Sequence, residues 1–367
     1  MGFPLVINKP YDVAIIGAGL SGLACGILCC EAGKSVGIFE ARTIAGGRIR
    51  SVFDEKGHYL ADLGPTWVWP KFQPDISNWI KKLNLKIFPQ FHTGNTILDF
   101  SVNHEPERRF LPSQQGSMRV VGGTQALIDA MVTRMPKGTL LTNTKVEAIS
   151  VMNYEVHIKT DNSDFKNMRA HKLIVATPPR IALKTIDWKI ELSKELTDAL
   201  DMMPTWMAPH AKVSIIYETA FWREQGLSGR IASHVGPISE CHDHTNLDGS
   251  IAALWGFIGW SHEARLEMGV EKLKAEVELQ LKRCFGGQNP EPISVTIEEW
   301  AQDPFVTSPN DLFSPMQHPS VGPDSLRKSY ADNRIWFSGA ETAQTSPGLI
   351  DGAFNSANRV AAQILND

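Results

Sequence analysis

The residues best suited to chemistry open the chain. Gly17-Ala18-Gly19-Leu20-Ser21-Gly22 carries glycines at the spacing a phosphate-cradling turn requires. The first lets the chain reverse, the second lets a pyrophosphate approach the backbone, and the third lets a helix pack closely on a strand. Glu40 lies 18 residues beyond Gly22, at the end of a second apolar run, where its carboxylate can accept hydrogen bonds from a ribose diol. An acid there disfavours a 2′-phosphate and leaves NAD or FAD as the dinucleotide. Gly46-Gly47-Arg48 adds a second glycine turn with a cation, able to meet the same pyrophosphate from its other side. Two such turns point to a buried, elongated cofactor.

These residues need a strand, a turn, a helix and a second strand in that order. Residues 12–17 form a short apolar run ending in glycine, residues 20–32 carry helical spacing stopped by Gly33, and residues 35–40 read as the next strand. A βαβ unit with such short connections predicts a parallel sheet with a right-handed crossover. Residues 13–30 hold no charged side chain, enough in length for a membrane span. Glycines at 17, 19, 22 and 26 interrupt the run, however, and strand, turn and helix account for it without lipid.

Further along, residues 70–116 read as irregular apart from an amphipathic helix over 76–85. A helix is predicted over 124–135 and strands over 145–150, 154–160, 172–176, 212–217 and 250–257. A long amphipathic helix covers 264–284 and stops at Gly286-Gly287. Residues 334–339 and 349–365 return to the opening pattern, a strand ending in glycine and then a helix. The chain leaves the nucleotide-binding part and comes back to it.

A length of 367 residues with 43% apolar and 21% charged side chains describes a globular protein of about two lobes. Basic and acidic residues number 36 and 40, a net charge of −4, with no basic run longer than a pair such as Lys81-Lys82 or Arg108-Arg109. That distribution argues against nucleic acid or an anionic membrane as partner. Five cysteines, three at positions 25, 29 and 30, read as reduced core thiols of a cytoplasmic protein. Cys241-His242-Asp243-His244 lacks a ligand spacing and reads as a polar loop, and no metal is expected.

From about residue 11 to 365 the sequence resembles the flavin-containing amine oxidase family, the monoamine and polyamine oxidases. The resemblance rests on the two glycine turns with Glu40-Ala41-Arg42, on Asp62-Leu63-Gly64, Val121-Gly122-Gly123 and Ala176-Thr177-Pro178-Pro179, and on Lys212 with Phe221-Trp222-Arg223. Trp255-Gly256-Phe257, Trp300, Ser338-Gly339-Ala340-Glu341-Thr342-Ala343, Gly348 and Gly352-Ala353 complete it. It implies an α/β fold with a Rossmann-like, doubly wound FAD-binding domain from residues 1–70, 117–185 and 296–367. A discontinuous, shortened mixed α/β substrate-binding domain would come from 71–116 and 186–295.

By the same resemblance Glu40 and Arg42 hold the adenosine, Val146 meets the adenine, Arg48 and Gly64 lie along the pyrophosphate and flavin, and Glu341 approaches the ribityl chain. Trp300 and Gly339 join the cofactor site. A helix beginning near Ile350 also directs its free N–H groups toward the negative charge a reduced flavin carries. Lys212 is the implied catalytic residue, reaching flavin N5 through a water and assisting the reaction with oxygen. The implied reaction is hydride transfer from a small-molecule amine to flavin N5, with O2 as acceptor, giving hydrogen peroxide and an imine. That step needs the neutral amine, and deprotonating an alkylammonium of pKa about 10.4 at pH 7 costs roughly 4.6 kcal/mol. A dry aromatic pocket lowers the cost, and Trp67, Trp255 and Phe257 match pocket-lining positions.

The sequence also departs from the family. After Trp300 it reads Asp303 to Asn310 with no cysteine, so FAD is expected to be non-covalent. The two tyrosines that flank the amine in monoamine oxidases correspond to Asn310 and Leu349. The segment 70–116 is short, implying a reduced lid, and with the sequence reaching Asp367 just past the flavin-domain helix, the membrane tail of mitochondrial members is not expected. A flavin dehydrogenase or desaturase with another acceptor, and a flavin-binding protein without turnover, remain alternatives.

Overall fold

Residues 9–112, 116–287, 289–314 and 318–366 are described by a computed structural model. The apolar run at the start forms strand β1 (Tyr11–Ile16), helix α1 (Leu20–Glu31) and strand β2 (Val36–Phe39). β1 pairs in parallel with β2 on one side, Ile15 opposite Ile38, and with the strand Asn167–Val175 on the other, Ile15 opposite Ile174. The strand Ile335–Phe337 comes back to the same sheet, parallel to Asn167–Val175. The returning tail thus pairs where an opening strand would. Val146–Met152 and Glu155–Thr160 extend the sheet as an antiparallel hairpin, for eight strands among the described residues.

α1 needs no polar face, because it is covered all round by the sheet and by the C-terminal helix Ile350–Leu365. Leu23, Ala24 and Ile27 share one core with Phe354, Ala357 and Val360. Gly22 permits this approach: a Cβ there would sit 2.0 Å from the Gly17 carbonyl oxygen. The 13–30 run is therefore strand, turn and helix, and no helix among the described residues is long and apolar enough to cross a membrane.

A second sheet of seven strands among the described residues runs in the order Ser294–Glu299, Ala211–Tyr217, Ala252–Ile258, Ile238–Asp243, Leu227–Ser233, Asn95–Asp99, Glu107–Arg109. Its back is covered by the amphipathic helix Val270–Phe285, through Leu273, Val277 and Leu281. On the front, Ile216 and Ala253 pack on Ala61 of the strand Tyr59–Asp62, and residues of both large sheets line the functional cavity.

Several elements differ from the sequence reading. The helix Pro74–Lys82 packs on the nucleotide layer, with Trp79 stacked on Phe354 at 5.0 Å and Ile76 N–H donating to Asp351 at 2.9 Å. Asp187–Trp188 and Lys194–Met202 likewise belong to the first sheet and its core, whereas Ser294–Glu299 crosses residue 296 as one strand of the second. The long helix breaks into His262–Met268 and Val270–Phe285 at Gly269, whose φ of +77° no helix tolerates. Cys241-His242-Asp243 is not a loop but part of the strand Ile238–Asp243, because its alternate side chains are buried on two sides.

Candidate active site

The two glycine turns press against each other at the carboxyl ends of β1 and β2, the position where open α/β sheets bind ligands. Gly46 N–H donates to the Ala18 carbonyl at 2.9 Å. Gly47 has φ +60°, and a Cβ on it would lie 3.3 Å from the Gly19 Cα. The turns line a cavity of about 410 Å³. Glu40, Arg42 and Val146 line its outer end, Gly17, Gly19 and Gly46 to Arg48 its middle, and Gly339, Glu341 and Ile350 the wall opposite. Gly22 does not line it, and its contribution is the helix packing described above.

Glu40 is buried. Its carboxylate accepts from Ala18 N–H at 2.8 Å and from Arg42 N–H at 2.9 Å, so it ties the first glycine turn to the segment after β2 while each oxygen keeps a further lone pair. Arg42 pairs with Asp303 and covers the Phe305 ring at 5.2 Å. Arg48 forms a two-pronged pair with Glu341, at 2.6 and 2.9 Å. The N-terminal turn of Ile350–Leu365 has no side-chain cap, and Leu349, Ile350 and Ala353 place it on the cavity. Its unpaired N–H groups favour negative charge there.

The inner end is aromatic. In the second sheet Lys212 lies directly opposite Phe257 and Ser214 opposite Trp255. Period-two alternation then puts Lys212, Trp255 and Phe257 on one face. Lys212 is 4% exposed. Its Nζ donates to the Gly64 carbonyl at 2.7 Å and sits 5.1 Å from the Trp255 ring and 5.3 Å from Phe257. Burial, with some help from Arg48 and against the pull of Asp62, brings its pKa down to about 7. Trp67 meets Trp255 edge-on at 5.1 Å and is anchored by its indole N–H on Gln90 at 2.9 Å. Trp300 lines the cavity with its N–H on the Leu63 carbonyl at 3.0 Å.

Asn310 is the one expected substrate-binding residue the fold leaves outside. Its neighbour Asp311 is fully buried, accepting from Arg180 at 2.7 Å, from Thr205 N–H at 2.9 Å and from Ser308. That anchor turns Asn310 outward, where its amide donates to Asp201 at 3.3 Å. Leu349 does line the cavity. Sequence reasoning missed Trp69, Trp206, Met207, Phe305 and His318, which also line it. In the Asp303-to-Asn310 stretch the sequence reading rests on the missing cysteine and on Asn310, and passes over Phe305. Met207 has φ +67°, a turn geometry that no local residue type announces.

A family model described as flavin containing amine oxidoreductase matches residues 98–365, and one described as an NAD(P)-binding Rossmann-like domain matches residues 15–83. The chain is 28% identical over 254 residues to a probable flavin-containing monoamine oxidase A of Dictyostelium discoideum, covering 67% of this chain and 53% of that protein. It is 22% identical to a flavin-containing amine oxidase of Oncorhynchus mykiss, covering 98% and 87%. It thus spans about half the length of the first of these relatives. Two solved structures share the fold. Putrescine oxidase bound to putrescine superposes with a TM-score of 0.81 at 20% identity, covering 98% of this chain and 100% of that one. Cyclohexylamine oxidase of Brevibacterium oxydans gives 0.82 at 17%, covering 98% and 99%. A glycine-turn cradle joined to an aromatic chamber, on this fold and under a family model that matches 98–365, places the chain in the flavin-containing amine oxidoreductase family.

Proposed function

We propose that this chain is an FAD-dependent oxidoreductase that oxidises a small-molecule amine to an imine, with O2 as the electron acceptor. The observation that carries the reading is one continuous cavity with a dinucleotide cradle at one end and Lys212 among tryptophans at the other. The residues present fit FAD: the left-handed Gly47 presses its bare Cα side on Gly19, where a Cβ would lie 3.3 Å from the Gly19 Cα, and Thr177 Oγ1, on the cavity wall, is buried without a partner among the described residues.

Glu40, Arg42 and Val146 would hold the adenosine, the glycine turns the pyrophosphate, and Arg48, Glu341 and the start of Ile350–Leu365 the ribityl chain and flavin. Among the described residues no cysteine lines the cavity, which supports non-covalent binding. Bound FAD supplies the two-electron acceptor. Trp67, Trp255, Phe257 and Trp206 exclude water and disfavour an ammonium, so a bound amine sheds its proton at lower cost than in bulk. Lys212, held near a pKa of 7, gives or takes a proton at Nζ around neutral pH. The reading includes a reducing, cytoplasmic compartment, supported by five free cysteines, four of them buried.

The test is anaerobic addition of amines, amino acids and polyamines to the flavin-loaded protein, followed by air. Bleaching by an amine and rapid recovery in air are expected. Bleaching without recovery would replace O2 by another acceptor, and no bleaching by any amine would end the enzymatic reading.

A further inference from the structure

The strand that carries Cys241, His242 and Asp243 continues to His244, a buried imidazole that the proposed function leaves unused. Alternation sends Asp243 away to Trp222 and Arg223 and His242 and His244 toward the back of the aromatic wall. His242 meets Trp67 at 4.7 Å, and His244 stacks on Trp255 at 6.3 Å and 26°. His244 Nε2 lies 3.1 Å from Asp62 N and 2.9 Å from Tyr59 OH. A backbone N–H can only donate, so Nε2 accepts and the proton of the neutral ring sits on Nδ1. That nitrogen is 3.5 Å from Thr66 Oγ1, which donates onward to Asp62 at 3.0 Å.

Two of the surfaces that Lys212 touches are therefore gripped from behind by one ring. Two residues after Asp62, the Gly64 carbonyl accepts from Lys212 Nζ at 2.7 Å. The Trp255 ring on which His244 stacks is 5.1 Å from the same Nζ. We propose that His244 is a positioning residue for Lys212, holding the Asp62–Gly64 backbone through the Asp62 N–H and the Trp255 face by stacking. The ring does this only while neutral, since an imidazolium has no acceptor for the Asp62 N–H. Burial keeps it so, with a pKa pushed down to about 4.

The charged and titratable groups facing the pair are Asp62, Arg119, Asp243 and Tyr59 around His244. Around Lys212 they are Asp62, Arg48 and His210, with Glu298 opposite it on the next strand.

Trace acetylation of the whole purified protein with acetic anhydride across pH, read by mass spectrometry at Lys212, reports the protonation midpoint of that side chain without any amine. In His244→Phe the loosened Gly64 carbonyl and Trp255 ring admit water, and the midpoint is expected to rise by at least about one pH unit. In His244→Gln, whose side-chain oxygen can accept the same N–H, it should stay within about half a unit of wild type. A folded His244→Phe with an unmoved midpoint overturns the proposal. Should His244→Phe fail to fold, His244→Asn, too short to reach Asp62, takes its place with the same expected shift, and an unmoved midpoint is equally fatal. The inference takes from the proposed function only the importance of Lys212. A shifted midpoint with no amine bleaching would sink the function and leave the positioning role standing.

Discussion

Arg48 and Glu341, 293 residues apart, close a two-pronged ion pair across the middle of the cavity, at 2.6 and 2.9 Å. The pair ties the glycine turn after β2 to the returning C-terminal segment. It is lopsided in exposure, since the arginine side chain is 25% exposed and the glutamate 1%. Loss of the arginine would strand an enclosed carboxylate, whereas loss of the glutamate leaves a cation able to turn toward water. Arg48→Ala is therefore expected to destabilise the protein more than Glu341→Gln, by about 1–2 kcal/mol. Urea melts of both variants decide it, and the reverse order would show that the pair does not anchor the two segments.

Lys212 adds a pH signature. Burial lowers its pKa from 10.5 to about 7. Between those values the unfolded chain binds a proton that the folded chain has lost, so stability climbs with pH through the window and is lowest below it. Lys212→Met should thus be more stable than wild type at pH 7, by a few kcal/mol, with the gap closing toward about pH 10. The same variant should keep FAD yet slow reoxidation of the reduced flavin by air at least about tenfold, on the order of 1.4 kcal/mol. An unchanged oxygen rate in stopped flow would remove Lys212 from that step.

On the acid side, burial depresses His210 and His244 to about 4. Below 6.5 the unfolded chain takes up protons that the folded chain refuses, so stability falls as pH drops from about 6.5 to 4. Lys212 and Arg265 deepen the effect at His210. His210→Asn should flatten this decline by up to roughly 1.4 kcal/mol per pH unit. Urea melts at pH 5 and pH 7 measure it, and a variant as acid-sensitive as wild type would mean His210 is not held neutral.

Glu40 accepts two backbone N–H groups, one from Ala18 in the first glycine turn and one from Arg42 just after β2, besides its expected diol. Glu40→Ala removes both braces, and about 1–3 kcal/mol of stability with at least about tenfold in FAD affinity should go with them. Equal retention of the yellow chromophore on desalting would count against placing adenosine at this end.

Much of this was legible before the fold was known, and the limits are physical. Residues 12–40 announce themselves because strand, glycine turn and helix are all local, so periodicity and φ demands lie within the run. Asn95–Asp99 is invisible in a segment read as irregular because it is short and pairs with Leu227–Ser233, 132 residues further on. Its pattern has meaning only once that partner is in place. Lys212 follows from the resemblance, but Lys212, its carbonyl partner at Gly64 and its aromatic bed at Trp255 and Phe257 lie in three separate stretches. His244 reads with its neighbours as a polar loop, because a buried imidazole with a backbone partner leaves no trace in spacing. Asn310 failed for the opposite reason: position along the chain suggested the cavity, and the neighbouring Asp311–Arg180 pair turned it away.

That last contrast gives a paired prediction for the cavity wall. Trp206 lines it between His210 at 5.9 Å and His318 at 5.4 Å. Its carbonyl accepts from Arg48 at 3.3 Å, and the left-handed Met207 turns the chain just after it. Truncating this indole opens the aromatic chamber to water and removes contact area from a bound amine. Trp206→Ala is expected to raise KM for an aromatic amine by about tenfold, roughly 1.4 kcal/mol of lost binding, with FAD retained. Asn310→Ala, whose amide meets Asp201 at the surface, should leave kcat and KM within about twofold of wild type. Steady-state kinetics on the two variants side by side settle which residue faces the substrate, and an Asn310→Ala defect larger than that of Trp206→Ala would reverse the assignment.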